Sequence, residues 1–362
     1  MTDSEFRGIA RSCNQFLMGH HPRSVRERIQ GIADSAYAEL ESDTYGRGGF
    51  LAEFEREIAE LLGKEAAVFM PSGTMAQPIA LRIWSDRAQN RSIAFHPTCH
   101  LELHEQMGYR ELHHLEATLL GESDRLFRLE DLRAVKRPLS SLLIELPQRE
   151  IGGQLPTWEE LNSIIDYARE SGAKVHLDGA RLWECQPYYG RPYSEIVAGF
   201  DSAYVSFYKV FRGLPGAALV GPADFIEEAR IWMRRQGGNL FQMFPNAISA
   251  KIGMDAKLAK IPAYVARASE VAAVLADLPG ISVVPERPPT NMMHVYFDAP
   301  AERVLDAAGR IAEREKCLLL SWASETPRGT KFELWIGDAG LEIPLERIQA
   351  LLTEFAQMIA AD

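Results

Sequence analysis

From about residue 66 to about residue 220, short β-type runs alternate with helical stretches. This alternation constrains the fold more than any other feature, because strands separated by helices pair in parallel within an open α/β sheet. Apolar runs at 66–70, 92–95, 141–146, 174–177, 203–207 and 217–220 read as strands. Stretches at 75–84, 101–107 and 158–170 read as the helices between them. After about residue 250 the rhythm changes again. Helical spacing over 268–278, 301–315 and 345–360 encloses β-type runs at 281–284, 294–297 and 332–336, which predicts a smaller α+β unit. Before residue 45 the chain is charged and helical in spacing, and the Gly46-Arg47-Gly48-Gly49 cluster breaks that pattern. The expected organisation is a helical arm over 1–44, a large domain over 45–250 and a small C-terminal domain over 251–362.

Composition narrows the function classes. The chain has 362 residues, 46% of them hydrophobic and 25% charged, enough apolar material for a core without staples. Its formal net charge of −11 opposes a sequence-independent grip on nucleic acid, which needs a basic surface. No apolar run approaches the roughly 18 residues that span a bilayer. The opening Met1-Thr2-Asp3-Ser4-Glu5 has no basic stretch followed by an apolar segment. Cys13, Cys99, Cys185 and Cys317 are far apart in sequence, as free thiols of a reducing cytoplasm would be. A soluble cytoplasmic protein is expected, with neither nucleic-acid nor membrane partner.

Ligands of open parallel sheets bind beyond the carboxyl ends of the strands, and three such ends carry candidate chemistry. Ser72-Gly73-Thr74 follows the first run and precedes a helix. It reads either as a plain helix N-cap or as a phosphate cradle built from free N–H groups and hydroxyls. Asp178-Gly179-Ala180-Arg181 ends another run. It reads either as an ion pair holding two loops, or as an acid for a cationic ring nitrogen with an arginine that grips a carboxylate. Lys209 follows a third run. It is either an exposed loop lysine or a buried amine able to form a Schiff base. A phosphate site, an acid for a pyridine nitrogen and a Schiff-base lysine are together the parts that pyridoxal 5′-phosphate (PLP) requires. Ser206 and Arg212, flanking Lys209, are further phosphate candidates by position and chemistry. His96, His100, His104 and Glu105 have partly helical spacing, but Pro97 interrupts it, and no metal is expected there.

The chain resembles the threonine aldolase/β-eliminating lyase family of fold-type I, aspartate-aminotransferase-like PLP enzymes. The resemblance lies in Tyr45-Gly46, Phe69 to Met75, His100 with Glu105, Gly152-Gly153, His176 to Arg181, Lys209, Gly237-Gly238 and Thr290-Asn291-Met292. It implies an α/β fold with a mostly parallel large-domain sheet and a smaller C-terminal α+β domain. It implies that Ser72, Gly73 and Thr74 bind the phosphate, that His100 stacks on the pyridine ring, and that Asp178 faces the ring nitrogen. Arg181 would hold the substrate carboxylate, and Lys209 would carry the cofactor. Tyr45 and Gln148 fall at positions that imply substrate contact. A homodimer or homotetramer is implied as well.

The sequence departs from the family in places. Gln148 stands where aldolases usually carry a histidine near the substrate hydroxyl. Phe241 and Glu333 replace expected arginines, Tyr208 replaces the usual serine before the lysine, and Ser12-Cys13-Asn14-Gln15 is the nearest match to a serine-aspartate-threonine segment. An acid in place of a carboxylate-binding arginine repels a carboxylate, for which Arg149, Arg181 or Arg328 could compensate. The leading expectation is a lyase that cleaves the Cα–Cβ bond of β-hydroxy-α-amino acids to glycine and an aldehyde, with His100 as base and Glu105 in support. The alternatives are another PLP reaction (β-elimination, racemisation or transamination on an unusual amino acid or amine) and a non-catalytic binding module. The presence of both Asp178 and Lys209 counts against the last.

Overall fold

The computed structural model describes residues 3–360, which divide into two compact units. The larger comprises Ser24–Glu150 and Leu155–Ala259; the smaller comprises residues 3–23, Ile151–Gln154 and 260–360.

The larger unit is built on a seven-stranded sheet. Its strands are β1 (Ala66–Met70), β2 (Ser92–Phe95), β3 (Glu116–Leu119), β4 (Ser141–Glu145), β5 (Lys174–Gly179), β6 (Ser202–Ser206) and β7 (Ala217–Gly221), in the spatial order β1-β7-β6-β5-β4-β2-β3. The run from β6 to β3 pairs in parallel, as the alternating pattern predicts. Strand β7 differs and pairs antiparallel with both β1 and β6. The connection from β6 to β7, Phe207–Gly216, carries no helix, and a parallel crossover needs a longer segment. Strand β3 was not expected from the sequence: it is a partly exposed edge with no apolar run to mark it.

The helix Gly73–Ala88 packs on β1, β6 and β7 through Ala76, Ile79, Ile83 and Trp84, and Trp84 stacks on Phe225 at 4.6 Å between ring centroids. Fully burying each large apolar side chain there contributes about 1.5–3 kcal/mol. At its start, Ser72 is extended and its hydroxyl accepts the Met75 N–H at 3.3 Å. The helix expected over 101–107 is shorter, His100–Leu103, because Gln106 and Met107 take positive φ values of 52° and 57°.

The smaller unit contains a four-stranded antiparallel sheet in the order Ser324–Thr326, Gly329–Trp335, Met292–Phe297, Ile281–Val284. Val295, Phe297 and Phe332 from this sheet pack with Val271, Ile311 and Phe355 from the helices Ile261–Ala276, Ala301–Glu315 and Leu345–Ala360. Residues 1–44, expected to form one arm, are shared between the units. Gln15–Phe16 pairs in parallel with Cys317–Leu318, which fixes residues 3–23 in the smaller unit. Residues 24–44 belong to the larger unit, where the helix Val25–Ala33 begins with a Ser24–Glu27 capping box. Gly152, at φ 87°, also belongs to the smaller unit, and a side chain there would overlap the Val284 carbonyl oxygen.

Candidate active site

The carboxyl ends of β4, β5 and β6 bring ionisable groups together in the larger unit. Parallel pairing sets Glu145 beside Asp178 and Asp178 beside Tyr204. Asp178 is buried, and its Oδ1 accepts the Ala180 N–H at 3.0 Å. Lys209 lies beyond the end of β6. Burial, reinforced by the Arg181 charge, lowers its ammonium to about 8, against the opposing pull of Asp178 and Glu145. Glu145 moves the other way. Burial and the neighbouring Asp178 raise its carboxyl to about 8, although it accepts hydrogen bonds from Gln148 Nε2 at 3.0 Å and Arg149 N at 3.2 Å. Glu184, one turn beyond Arg181, is raised to about 8 by burial, and its Oε2 is buried without a partner.

His100 begins a short helix after β2. Its Nδ1 is 2.9 Å from Glu105 Oε1. The second carboxylate oxygen of Glu105 is buried with no partner, and the first holds the imidazole. The neighbouring histidines have other duties. His96 contacts Thr98 Oγ1 and the Arg125 carbonyl at 2.9 and 2.8 Å, and His104 contacts Glu150 at 2.9 Å.

At the end of β1, helix geometry leaves the Gly73 and Thr74 amides without an intrahelical acceptor. A side chain on Gly73 would overlap the ring and hydroxyl of Tyr204, so only glycine lets the helix start pack against that tyrosine. Ser206, expected as a phosphate contact from its position, lies at the carboxyl end of β6. Its hydroxyl donates to the Ala180 carbonyl at 2.7 Å and ties β6 to the loop after β5. Arg212 adopts φ 58° in the turn after Lys209, and its N–H returns to the Lys209 carbonyl. The Gln148 amide is also engaged, donating to Thr98 Oγ1 at 3.2 Å as well as to Glu145.

Tyr45 sits on a separate loop. Its ring packs edge-on against Phe241, with centroids 5.3 Å apart, and its N–H donates to the Phe241 carbonyl. Buried Asp43 pins this loop by accepting the Gly46 and Met243 N–H groups. Tyr45 lines a cavity of about 450 Å³ with Arg47, Arg230, Arg234 and Asn239.

Sequence reasoning missed Glu145 and Glu184 as members of the cluster. For Glu145 a signal existed: it ends an apolar run at a strand's carboxyl end, as Asp178 does. For Glu184 there was none, since its burial, like that of its neighbours Trp183 and Cys185, appears only in the folded chain.

Residues 32–300 match the model of the family described as beta-eliminating lyase. The chain belongs to that family. The match covers all of the site residues described above. The chain is similar to a putative L-allo-threonine aldolase from Listeria monocytogenes, with 42% identity and a TM-score of 0.93 over 98% of this chain and 99% of that one. It is also similar to a putative aromatic amino acid beta-eliminating lyase/threonine aldolase from Exiguobacterium, with 40% identity and a TM-score of 0.94 over 98% and 99%. Among curated relatives, low-specificity L-threonine aldolase 1 of Arabidopsis thaliana is 27% identical over 78% of this chain and 82% of its own length. The architecture is that of fold-type I PLP enzymes, and the chain is a threonine aldolase-like lyase of a PLP-dependent family.

The residues present fit PLP. A helix N-terminus whose first amides have no intrahelical acceptor suits a phosphate, a buried carboxylate suits a ring nitrogen that must stay protonated, and a lysine lowered to about 8 suits imine chemistry.

Proposed function

We propose that this chain holds PLP through Lys209 and cleaves β-hydroxy-α-amino acids to glycine and an aldehyde. The observation that carries the reading is the arrangement at β4–β6: a lysine of lowered pKa set among buried acids, on the strands that also bear Asp178. When bound, PLP supplies an electron sink for the pair released as the bond to the α-carbon breaks.

The chain's own residues do the rest. Lys209, with its amine close to half neutral near pH 8, is the point of covalent attachment. Asp178 keeps the ring nitrogen charged. The backbone at Gly73 and Thr74, with the Ser72 and Thr74 hydroxyls, holds the phosphate, and Arg212 adds positive charge. Arg181 binds the substrate carboxylate. His100, its imidazole held by Glu105, would lie against the ring and take the β-hydroxyl proton. The Gln148 amide, bound to Thr98 and Glu145, supports the wall of the site.

Two further features belong to this reading. The chain works as a homodimer or homotetramer. The helix Val25–Ala33 buries none of its residues, and Val25 and Ile29 are 74% and 62% exposed. Next to it lies an apolar hollow of about 440 Å³ lined by Ile29, Ile32, Leu40, Phe50, Phe244 and Ile248. The setting is cytoplasmic: all four cysteines are unpaired, and no helix of the described residues is long and apolar enough to cross a membrane.

The test is product analysis across an amino-acid panel with the PLP-loaded protein. Glycine and an aldehyde from threonine, allo-threonine or phenylserine is the expected result. Keto-acid with ammonia, or amino transfer to a keto-acid, would replace the aldolase assignment with elimination or transamination.

A further inference from the structure

Tyr208 stands immediately before Lys209, and its hydroxyl lies 3.1 Å from that of Tyr204. Tyr204 comes from β6 and is buried. Its ring and hydroxyl occupy the space that a β-carbon on Gly73, the first residue of the helix Gly73–Ala88, would take. The two phenols therefore meet at the helix N-terminus that the Ser72-Gly73-Thr74 cradle forms. Each phenol has one proton to give. When buried Tyr204 donates to Tyr208, Tyr208 keeps its own O–H for a third group. Tyr208 is still 37% exposed, with its ring 5.8 Å from Lys209 Nζ, so a molecule attached to that lysine would lie within its reach.

We propose that Tyr208 is a phosphate ligand of the cofactor and that Tyr204 is the positioning residue that orients its hydroxyl. The inference rests on the PLP reading above. An O–H donated to a phosphate oxygen is a short, charge-assisted bond, and a phenol brings it to the helix N-terminus without adding a charge that would compete with Lys209. The Tyr204–Tyr208 pair fixes the direction of the donor before the cofactor arrives, which lowers the ordering cost of binding.

The test compares PLP with pyridoxal, which lacks the phosphate, by titrating each into the full chain stripped of cofactor. Tyr208→Phe is expected to weaken PLP about tenfold and to leave pyridoxal unchanged. Tyr204→Phe is expected to weaken PLP about threefold with the same selectivity. A Tyr208→Phe protein that binds PLP as the wild type does, or that loses PLP and pyridoxal alike, overturns the proposal. A wild-type chain that takes up neither compound overturns the functional reading itself, and this inference with it.

Discussion

In the larger unit Lys209 and Arg181 lie among Asp178, Glu145 and Glu184; in the smaller unit Asp338 lies among Lys260, Tyr264 and His20. The second group is matched. Asp338 Oδ1 accepts from Tyr264 Oη at 2.6 Å and Lys260 Nζ at 2.9 Å, and Oδ2 is 3.1 Å from His20 Nδ1. Burial alone would raise the Asp338 carboxyl, but these partners outweigh it and hold the group below its ordinary value. The first group is mismatched. Burial drives Glu145 and Glu184 up to about 8 and Lys209 down to about 8, and an oxygen of Glu184 is left without a partner. Charges whose partners satisfy them hold a fold together. Charges held near the neutral point by burial are poised to exchange protons and to form bonds. The contrast assigns chemistry to the larger unit's cluster and a structural role to the smaller unit's.

Removing the amine breaks the comparison most severely. Lys209→Ala is expected to abolish the visible band that forms with PLP and to lower turnover about a thousandfold or more, while the thermal unfolding midpoint does not fall below that of the wild type. Turnover within tenfold of wild type would show that the mismatch is idle.

Asp178→Asn comes next. It keeps the shape and removes the charge proposed to face the ring nitrogen, so a loss of about a hundredfold in kcat is expected from steady-state kinetics. The same change removes a charge that raises the Lys209 pKa, so that pKa should fall further.

A pH series sharpens the point. Bond formation needs the neutral amine, which gains population as pH rises through about 8 for Lys209, not through the ordinary lysine range. The rate at which the visible band appears after PLP is added should rise with a midpoint near 8 and shift downward in Asp178→Asn. The sign for stability agrees. A lysine lowered by folding destabilises the fold below about pH 8, and this cost is relieved as pH rises toward the unfolded value.

The smallest effect belongs to the matched cluster. Asp338→Asn should cost about 1 kcal/mol in denaturant unfolding, because the site is partly exposed and solvent screens the charge. Asp338 is lowered by folding, so its contribution is present above the unfolded carboxyl pKa and is lost as pH falls through the folded one. PLP binding should not change; a cofactor defect in Asp338→Asn would erase the distinction drawn between the clusters.

How far the sequence disclosed these clusters follows from their construction. Asp178 and Lys209 each come just after an apolar run, so the strand pattern alone placed them at carboxyl ends. Glu145 had the same signal, but its significance appears only when parallel register sets it beside Asp178. The direction of β7 was hidden because a loop and a crossover look alike until the intervening segment is seen to lack a helix. The bond from the Ser206 hydroxyl to the Ala180 carbonyl was not legible, because that carbonyl lies on another strand's loop. The Asp338 cluster had no sequence signal at all: its members come from residues 20, 260, 264 and 338, and only the folded chain gathers them.

The central claim is that Lys209 is the covalent anchor for PLP, and borohydride reduction of the PLP-treated protein followed by peptide mass analysis tests it most directly. The account predicts that a visible band forms, that borohydride bleaches it, and that the reduced cofactor is found on the peptide containing Lys209. A protein that stays colourless with PLP, or a cofactor fixed to a different lysine, would contradict it.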